Sequence, residues 1–539
     1  MTTREIPVLI VGGGPVGLAL AAELGWRGVE CLLVEQTDGV IRTPKMNEVN
    51  VRTMEFCRRW GIADEVLNCP FPSDHAMDIA FVTSLTGYEL ARQKRPAKRD
   101  QRPGPHSPMN LQICSQLWFD PILRNFALSF PAVEIAHRCR MESFHDTADG
   151  IEAEIHHLDD GRREHIRAHF LAACDGATST IREARGIGLD GTEVLGRPVH
   201  MFFRAPDLLA RCGMEQATFI MAMDDDGLWA NIRIVDPVNG LWRLMVLDTP
   251  DGFDADNIDR DAYLERAVGR DVGFEIEWIG HSVWVRRGVV AESYRDGPVF
   301  LAGDSAHQLS PTGALGMNTG IGDAVDLGWK IAAVLDGWGG PGLLDSYDAE
   351  RRAIGTRNVA MATEFHHGHT GFEGDAAITD DTPEGEALRA RVGPALVRNI
   401  GRMFRTDGLQ LGYRYDPSPI RIDDGTPDVA DDPETYVPSA RPGARAPHVT
   451  LGDGRSTLDL FGRGFVLLNF ADAADACTLE TAAASRGMPF ETVAINDTEV
   501  ASLYQRRLVL VRPDGHVAWR GDTVPGNPGA TLDQVRGAG

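Results

Sequence analysis

Residues Ala302–Trp329 read AGDSAHQLSPTGALGMNTGIGDAVDLGW. One carboxylate, Asp304, closes a short apolar run. Pro311 opens a Pro/Gly-rich turn that ends at Gly316, and Met317–Gly320 begins a helix of small residues. Small residues let backbone N–H groups approach a flat, electron-rich ligand closely. Some 290 residues earlier, Gly12-x-Gly14-x-x-Gly17 follows a β-branched run and opens a helix. Here Gly12 permits the tight turn, Gly14 lets a pyrophosphate reach the backbone, and Gly17 lets helix pack on strand. Pro15 and Val16 start the helix whose free N–H groups face the phosphates. Glu35, with Gln36 beside it, ends the next strand eighteen residues after Gly17. Its carboxylate can accept from both ribose hydroxyls and repels a 2′-phosphate. A phosphate site and a distant ribityl site in one chain point to FAD lying extended. A third motif, Asp175-Gly176 in CDGATSTIR, reads by itself as a capped strand-turn-helix.

These motifs need a frame. Ile6–Val11 reads as a buried parallel strand, Val16–Leu24 as a helix and Val29–Glu35 as the second strand, a βαβ start. Val49–Trp60 and Leu117–Leu128 have helical spacing. Alternating runs at 150–155, 164–173, 199–204, 218–223, 228–235 and 241–247 predict antiparallel strands of an inserted second domain. Val299–Leu301 returns to the first domain, and helices follow over 320–335 and 343–363. The acidic, Gly/Pro-containing stretches 370–383 and 416–440 read as loops or linkers. Beyond them, strands at 464–470 and 490–495 and a hairpin around Asp514-Gly515 form a small last domain.

The net charge of −25 disfavours nucleic acid and anionic membranes as partners. No apolar stretch has the length of a membrane span. The eight cysteines include no CxxC pair, which implies buried reduced thiols and a cytoplasmic setting.

The three motifs, in this order, resemble the group A flavoprotein aromatic hydroxylases, among them p-hydroxybenzoate, phenol and aromatic polyketide hydroxylases. Gly12, Gly14 and Gly17 match the first motif, Asp175-Gly176 with Arg182 the second, and Gly303-Asp304 with His307 and Pro311 the third. The resemblance implies an α/β Rossmann-type FAD-binding domain over 1–72, 105–188 and 284–365. It implies an inserted antiparallel-sheet substrate domain over 73–104 and 189–283, helix and linker over 366–440, and a thioredoxin-like domain over 441–539 that lacks CxxC. It implies that Asp304 holds the ribityl chain and that Gly316, Met317 and Asn318 present backbone to the flavin pyrimidine edge. By the same resemblance Gln116 contacts the flavin, and Asp175 serves FAD and the reducing nucleotide. Lys45 stands where most members carry Arg, so the charge stays but the planar fork is lost.

The activity implied is an FAD-dependent, NADH- or NADPH-consuming monooxygenase that uses O2. A flavin C4a-hydroperoxide would deliver oxygen to a phenolic or other electron-rich ring, with Pro311 and its neighbours stabilising it. The expected partner is a small aromatic substrate, and the expected assembly a homodimer. Asn47 aligns where phenol hydroxylases carry an acid. Met201, Phe203, Met221, Trp229, Asn231 and Arg233 alternate on sheet strands and are the substrate candidates, with sheet packing as the plainer reading of each. Arg233 is either a substrate-carboxylate ligand or a solvated strand-face residue. His307 reads as structural, and His366-His367-x-His369 as a polar loop rather than a metal site. Two other readings stay open: Baeyer–Villiger or epoxidising chemistry on a polyketide, and a flavin-loaded interaction protein without catalysis.

Overall fold

A computed structural model describes residues 3–250, 253–254, 257–273, 275–470 and 476–539. β-Branched and leucine-rich runs with no polar alternation are buried on both faces and pair in parallel. Thus Thr3–Val11 lies between Cys31–Glu35 and Arg163–Ala173, with Val133–His137 and Val299–Leu301 outside them, all parallel. The helices Pro15–Arg27 and Gly316–Leu335 pack on this sheet and on each other. The run at 164–173 is therefore not an antiparallel strand of the inserted domain. It pairs in parallel with Thr3–Val11, and Gly150–His157 adds to its other edge antiparallel. Alternation cannot separate the two cases, because Arg163–Ala173 alternates only in its first half and is fully buried in its last three residues.

The second sheet has seven strands in the order Glu277–Val283, Val199–Arg204, Leu241–Val246, Gly227–Asp236, Phe219–Asp224, Ile79–Val82, Glu89–Gln93. Leu189–Gly196, Arg286–Ala291 and His307–Gln308 form a three-stranded bridge between the two sheets. The helix Pro383–Ile400, in the stretch read as helix and linker, buries Leu388, Leu396 and Ile400 against Ile79, Phe81 and Met221. The helix expected to stop at 363 runs from Asp345 to Thr370, so His366 and His367 are helical and not in a loop. The side chain of His369 lies outside the described residues.

The last unit runs βαβαββα: Phe465–Asn469, Ala476–Ala484, Phe490–Ala494, Thr498–Tyr504, Leu508–Val511, Val517–Gly521, Pro528–Val535. That order is thioredoxin-like. The unit shares a core with the first domain, where Trp329 and Trp338 stack and meet Phe465 edge-on. Around that core runs a buried ionic seam. Arg512 binds Glu350 (2.5 Å), Asp326 (3.0 Å) and Asp514 (2.7 Å), Lys330 binds Asp326 and Glu350, and Arg445 pairs with Glu55. Its single cysteine, Cys477, is exposed, against the expectation of buried thiols; six of the other seven are buried and Cys174 is half-buried. Among the described residues no helix is long and apolar enough to cross a membrane.

Candidate active site

The three motifs meet at the carboxyl ends of neighbouring parallel strands. Cys174 N donates to Val11 O (2.8 Å) and Ala302 N to Ala173 O (3.0 Å), which sets the three loops side by side. Gly12, at φ +109°, leaves no room for a side chain: a Cβ there would lie 2.2 Å from Cys174 O. One at Gly17 would lie 2.0 Å from Gly12 O, whereas one at Gly14 would meet no protein atom within 4 Å. Pro15 opens the helix, and Val16 wedges against Gly303 and Gly320, where added Cβ atoms would lie 2.9 and 2.5 Å from its Cγ2. One valine thereby docks the first motif on the third. Glu35 accepts from Gly13 N and Thr37 N, both at 2.7 Å, which orients its carboxylate across the turn; Gln36 is exposed beside it.

Asp304 sits in a tight turn just past the strand Val299–Leu301. Its side chain is exposed to the space between the three loops, with protein atoms crowded around the carboxylate. Burial pushes its pKa up, and His307 and Lys45 pull it back. Asp323, below it, fixes the turn: it accepts from Gly303 N (3.1 Å), His307 Nε2 (2.7 Å) and Arg351 Nε (2.8 Å), all buried. Burial alone would raise the Asp323 pKa, but Arg351 and His307 hold it below the usual carboxylate range. The structural reading of His307 is consistent with this contact.

Pro311 is exposed at the head of the turn, and Ala314 N donates to Pro311 O (3.1 Å). Ala314 has φ +53°, a conformation that costs a non-glycine residue of order 1 kcal/mol or more. The first internal bond of the helix Gly316–Leu335 runs from Thr319 N to Leu315 O, so Gly316, Met317 and Asn318 have N–H groups with no intrahelical acceptor. The Asn318 side chain is spent on structure: it donates to Ala314 O and Glu48 O and accepts from Asn50 N and Thr53 Oγ1. Gln116 accepts from Lys45 N (2.9 Å) and donates to Asp120 (2.9 Å), whose carboxyl burial pushes up to about 7. Lys45 is exposed and its charge reaches both Asp304 and His200. Asp175 accepts from Ile181 N (3.3 Å) through Oδ2, while its buried Oδ1 has no hydrogen-bond partner among the described residues.

This donor set fits FAD: an open space over Gly14, an acid at the end of the second strand, an exposed carboxylate past Val299–Leu301 and, among the described residues, three N–H groups at a helix start without an intrahelical acceptor.

Cross-strand partners share a sheet face, and the register splits the substrate candidates. His200, Met245, Asn231 and Met221 lie across one another, as do Phe202, Arg243, Arg233 and Phe219. This face turns to the loop 43–48, where Arg233 pairs with Glu48 (2.5 Å) and its Nε reaches the Asn47 amide (3.3 Å). Arg233 is thus neither solvated nor free, and Asn47 is 5% exposed with its amide engaged. Asn231 accepts from Arg243 (3.1 Å). Met201 and Phe203 point to the opposite face and pack with Leu208 and Leu264. Met221 is covered by the helix Pro383–Ile400. Trp229 is the extra residue of a bulge opposite Ala222 and Met223, and its indole stacks on Tyr263 with Arg266 over it. A bulge breaks the period of two on which the alternation rests.

Sequence reasoning missed Arg243, His200 and Arg286 on or beside this face. Arg243 is 8% exposed, its Nε has no partner, and it meets no carboxylate within ion-pair distance among the described residues. Burial and Arg233 hold its pKa down at about 9. His200 is held neutral by burial and by Arg243, Arg286 and Lys45. Arg286 donates to His366 Nδ1 (3.0 Å), and His366 Nε2 meets Leu195 O (3.0 Å), so both ring nitrogens of His366 are engaged by protein.

Residues 5–362 match the FAD binding domain family, and residues 439–538 match the C-terminal domain of aromatic-ring hydroxylases. The FAD-dependent monooxygenase apdD of Emericella nidulans is 33% identical over 96% of this chain and 88% of its own. The tetracenomycin B2 monooxygenase-dioxygenase of Streptomyces olivaceus is 33% identical over 99% of this chain and 98% of its own. RebC, solved with bound 7-carboxy-K252c, is 41% identical with a TM-score of 0.92 and 100% of both chains covered. The chain therefore belongs to the FAD-dependent aromatic-ring hydroxylases and is a flavin monooxygenase.

Proposed function

We propose that this enzyme hydroxylates an electron-rich aromatic substrate that carries an acidic group. The observation that carries the reading is Arg243, a buried guanidinium on the sheet face toward loop 43–48 that ion-pairs with no carboxylate among the described residues. A cation is left in that state at a cost of several kcal/mol unless an anion joins it. Lys45, Arg243 and Arg286 hold His200 neutral on this side, and Glu48, ion-paired with Arg233, acts on Arg243 only through its charge at longer range. RebC, solved with bound 7-carboxy-K252c, supports a carboxylated ligand for this chain.

In this reading Gly12, Gly14, Pro15, Val16, Gly17, Glu35 and Gln36 hold the adenosine diphosphate half of FAD. Asp304 and Asp175 hold the ribityl side, and the N–H groups of Gly316, Met317 and Asn318 face the pyrimidine edge with Lys45 and Gln116 opposite. Bound FAD, reduced by NADH or NADPH, supplies the activation of O2. The protein supplies orientation and a dry site. Arg243 fixes the acidic group, Asn47 and Glu48 hold Arg233 in place, and the Pro311–Gly316 turn offers backbone dipoles. Residues 1–72, 105–188 and 284–365 form the cofactor domain in this scheme. Residues 73–104 and 189–283 form the substrate sheet, 366–440 clasp it, and 441–539 brace the cofactor domain.

The test is reduced-nicotinamide oxidation across a panel of aromatic acids and their methyl esters, with product mass recorded. An acid that stimulates and gains one oxygen, with an inert ester, is the expected result. Arg243→Met should raise KM for that acid about 10- to 100-fold, the worth of one charge-assisted hydrogen bond. Acid and ester turning over equally well would sink the reading.

A further inference from the structure

Two cysteines with no sequence motif between them meet beneath a lysine. Cys69 follows the short helix Ala63–Leu67, and Cys114 lies between the strand Gln112–Ile113 and the helix Gln116–Leu128. The Cys69 thiol donates to Ile113 O (3.3 Å), the carbonyl next to Cys114 in the chain, and lies 3.5 Å from Lys98 Nζ, and the Cys69 and Cys114 thiols act on each other across this step. Both thiols are buried, at 7% and 0% exposure, while Lys98 sits half-buried above them on the turn Lys98–Asp100. The Cys114 contact and the Lys98 charge, acting against burial, hold the Cys69 thiol below the ordinary range, and the same contact together with burial pushes Cys114 up. That asymmetry suits one attacking and one resolving sulfur. The pair borders the cofactor cradle: Cys114 N donates to Asn47 O (2.9 Å), and Gln116 is two residues on.

We propose that Cys69 and Cys114 form a peroxide-reactive dithiol that closes to a disulfide. The Cys69 thiolate attacks one oxygen of hydrogen peroxide. The S–O bond forms as the O–O bond breaks, and the departing hydroxide takes up the proton lost by Cys69. The Cys114 sulfur then attacks the Cys69 sulfenic sulfur, the S–S bond forms, the S–O bond breaks, and the leaving hydroxide takes the Cys114 proton. Two thiols are oxidised by two electrons in all, and one peroxide is reduced to two waters. Lys98 acts by holding the thiolate, not by transferring an atom.

The flavin-loaded full-length protein is treated with equimolar hydrogen peroxide, alkylated, digested and mapped by mass. The expected product is a reductant-reversible peptide joining Cys69 to Cys114. Lys98→Gln should slow its formation about threefold, since roughly tenfold less thiolate is partly offset by greater nucleophilicity; Lys98→Arg should keep the parent rate. In Cys114→Ala protein that retains flavin, dimedone should label Cys69. Alkylation of both thiols after the exposed Cys477 is oxidised, or a link from Cys69 to any other residue, overturns the proposal. So does an unlabelled Cys69 in Cys114→Ala.

Discussion

Replacing Gly14 by alanine should separate folding from cofactor binding. The backbone there, φ −73° and ψ 178°, is open to alanine, and the new Cβ meets no protein atom within 4 Å. Alanine is a poorer helix cap than glycine, but it narrows the unfolded ensemble, and these terms offset to within about 1 kcal/mol. Gly17→Ala differs, because its Cβ would lie 2.0 Å from a backbone carbonyl that cannot swing aside. What the Gly14 methyl removes is close approach of pyrophosphate to the N–H groups of the turn. Loss of one charge-assisted hydrogen bond costs about 1.5–3 kcal/mol, or about 10- to 150-fold in Kd. FAD would be stripped and rebinding followed by flavin fluorescence, with urea unfolding of the apoprotein in parallel. Rebinding within about twofold of the parent would refute the placement of pyrophosphate over Gly14. Apoprotein destabilisation as large as that of Gly17→Ala would refute the argument from open space.

Asp304→Ala should fold but purify with little flavin by its 450 nm absorbance; a fully loaded, active variant would remove that carboxylate from the cofactor site. Asp323→Asn should destabilise the protein by about 3–5 kcal/mol at neutral pH, since it strands buried Arg351. The Asp323 pKa is depressed on folding, so its contribution is present above the unfolded value near 3.8 and is lost as pH falls through the lower folded value. The acid limb of a urea-stability profile should flatten in the variant, and an unchanged limb would contradict the assignment. Truncation before Arg441 should yield aggregated protein, because it exposes Trp329 and Trp338 and strips Arg512 from buried Glu350 and Asp326. A soluble truncation measured by size exclusion would show that the seam is dispensable.

The cofactor half was legible because its rules are local. Gly17 is demanded by the Gly12 carbonyl within one βαβ unit, Gly14 leaves open space at the helix start, and Glu35 stands at the end of the second strand; the clash that demands Gly12 comes from Cys174 on a neighbouring strand. The substrate half was legible only in outline. Alternation marked the strands Val199–Arg204, Gly227–Asp236 and Leu241–Val246 but not their faces. Met201 and Phe203 point away from the cofactor loop, and one bulge turns Trp229 aside. Arg243 alternates like any strand residue, so its spacing carried no signal. Its significance is the carboxylate that is not there.

By itself the sequence determined the βαβ start of the parallel core and its return strand Val299–Leu301, the glycine turn at Gly12, and a first turn suited to a dinucleotide. Those are short-range consequences of periodicity and missing side chains. Only the tertiary structure decided that Val16 locks onto Gly303 and Gly320, that Arg163–Ala173 joins the first sheet, that Arg512 reaches Glu350, and that Cys69 meets Cys114 under Lys98. Each of these pairs residues far apart in the chain. Burial and charge balance choose such partners, and neither is defined until the chain has closed on itself.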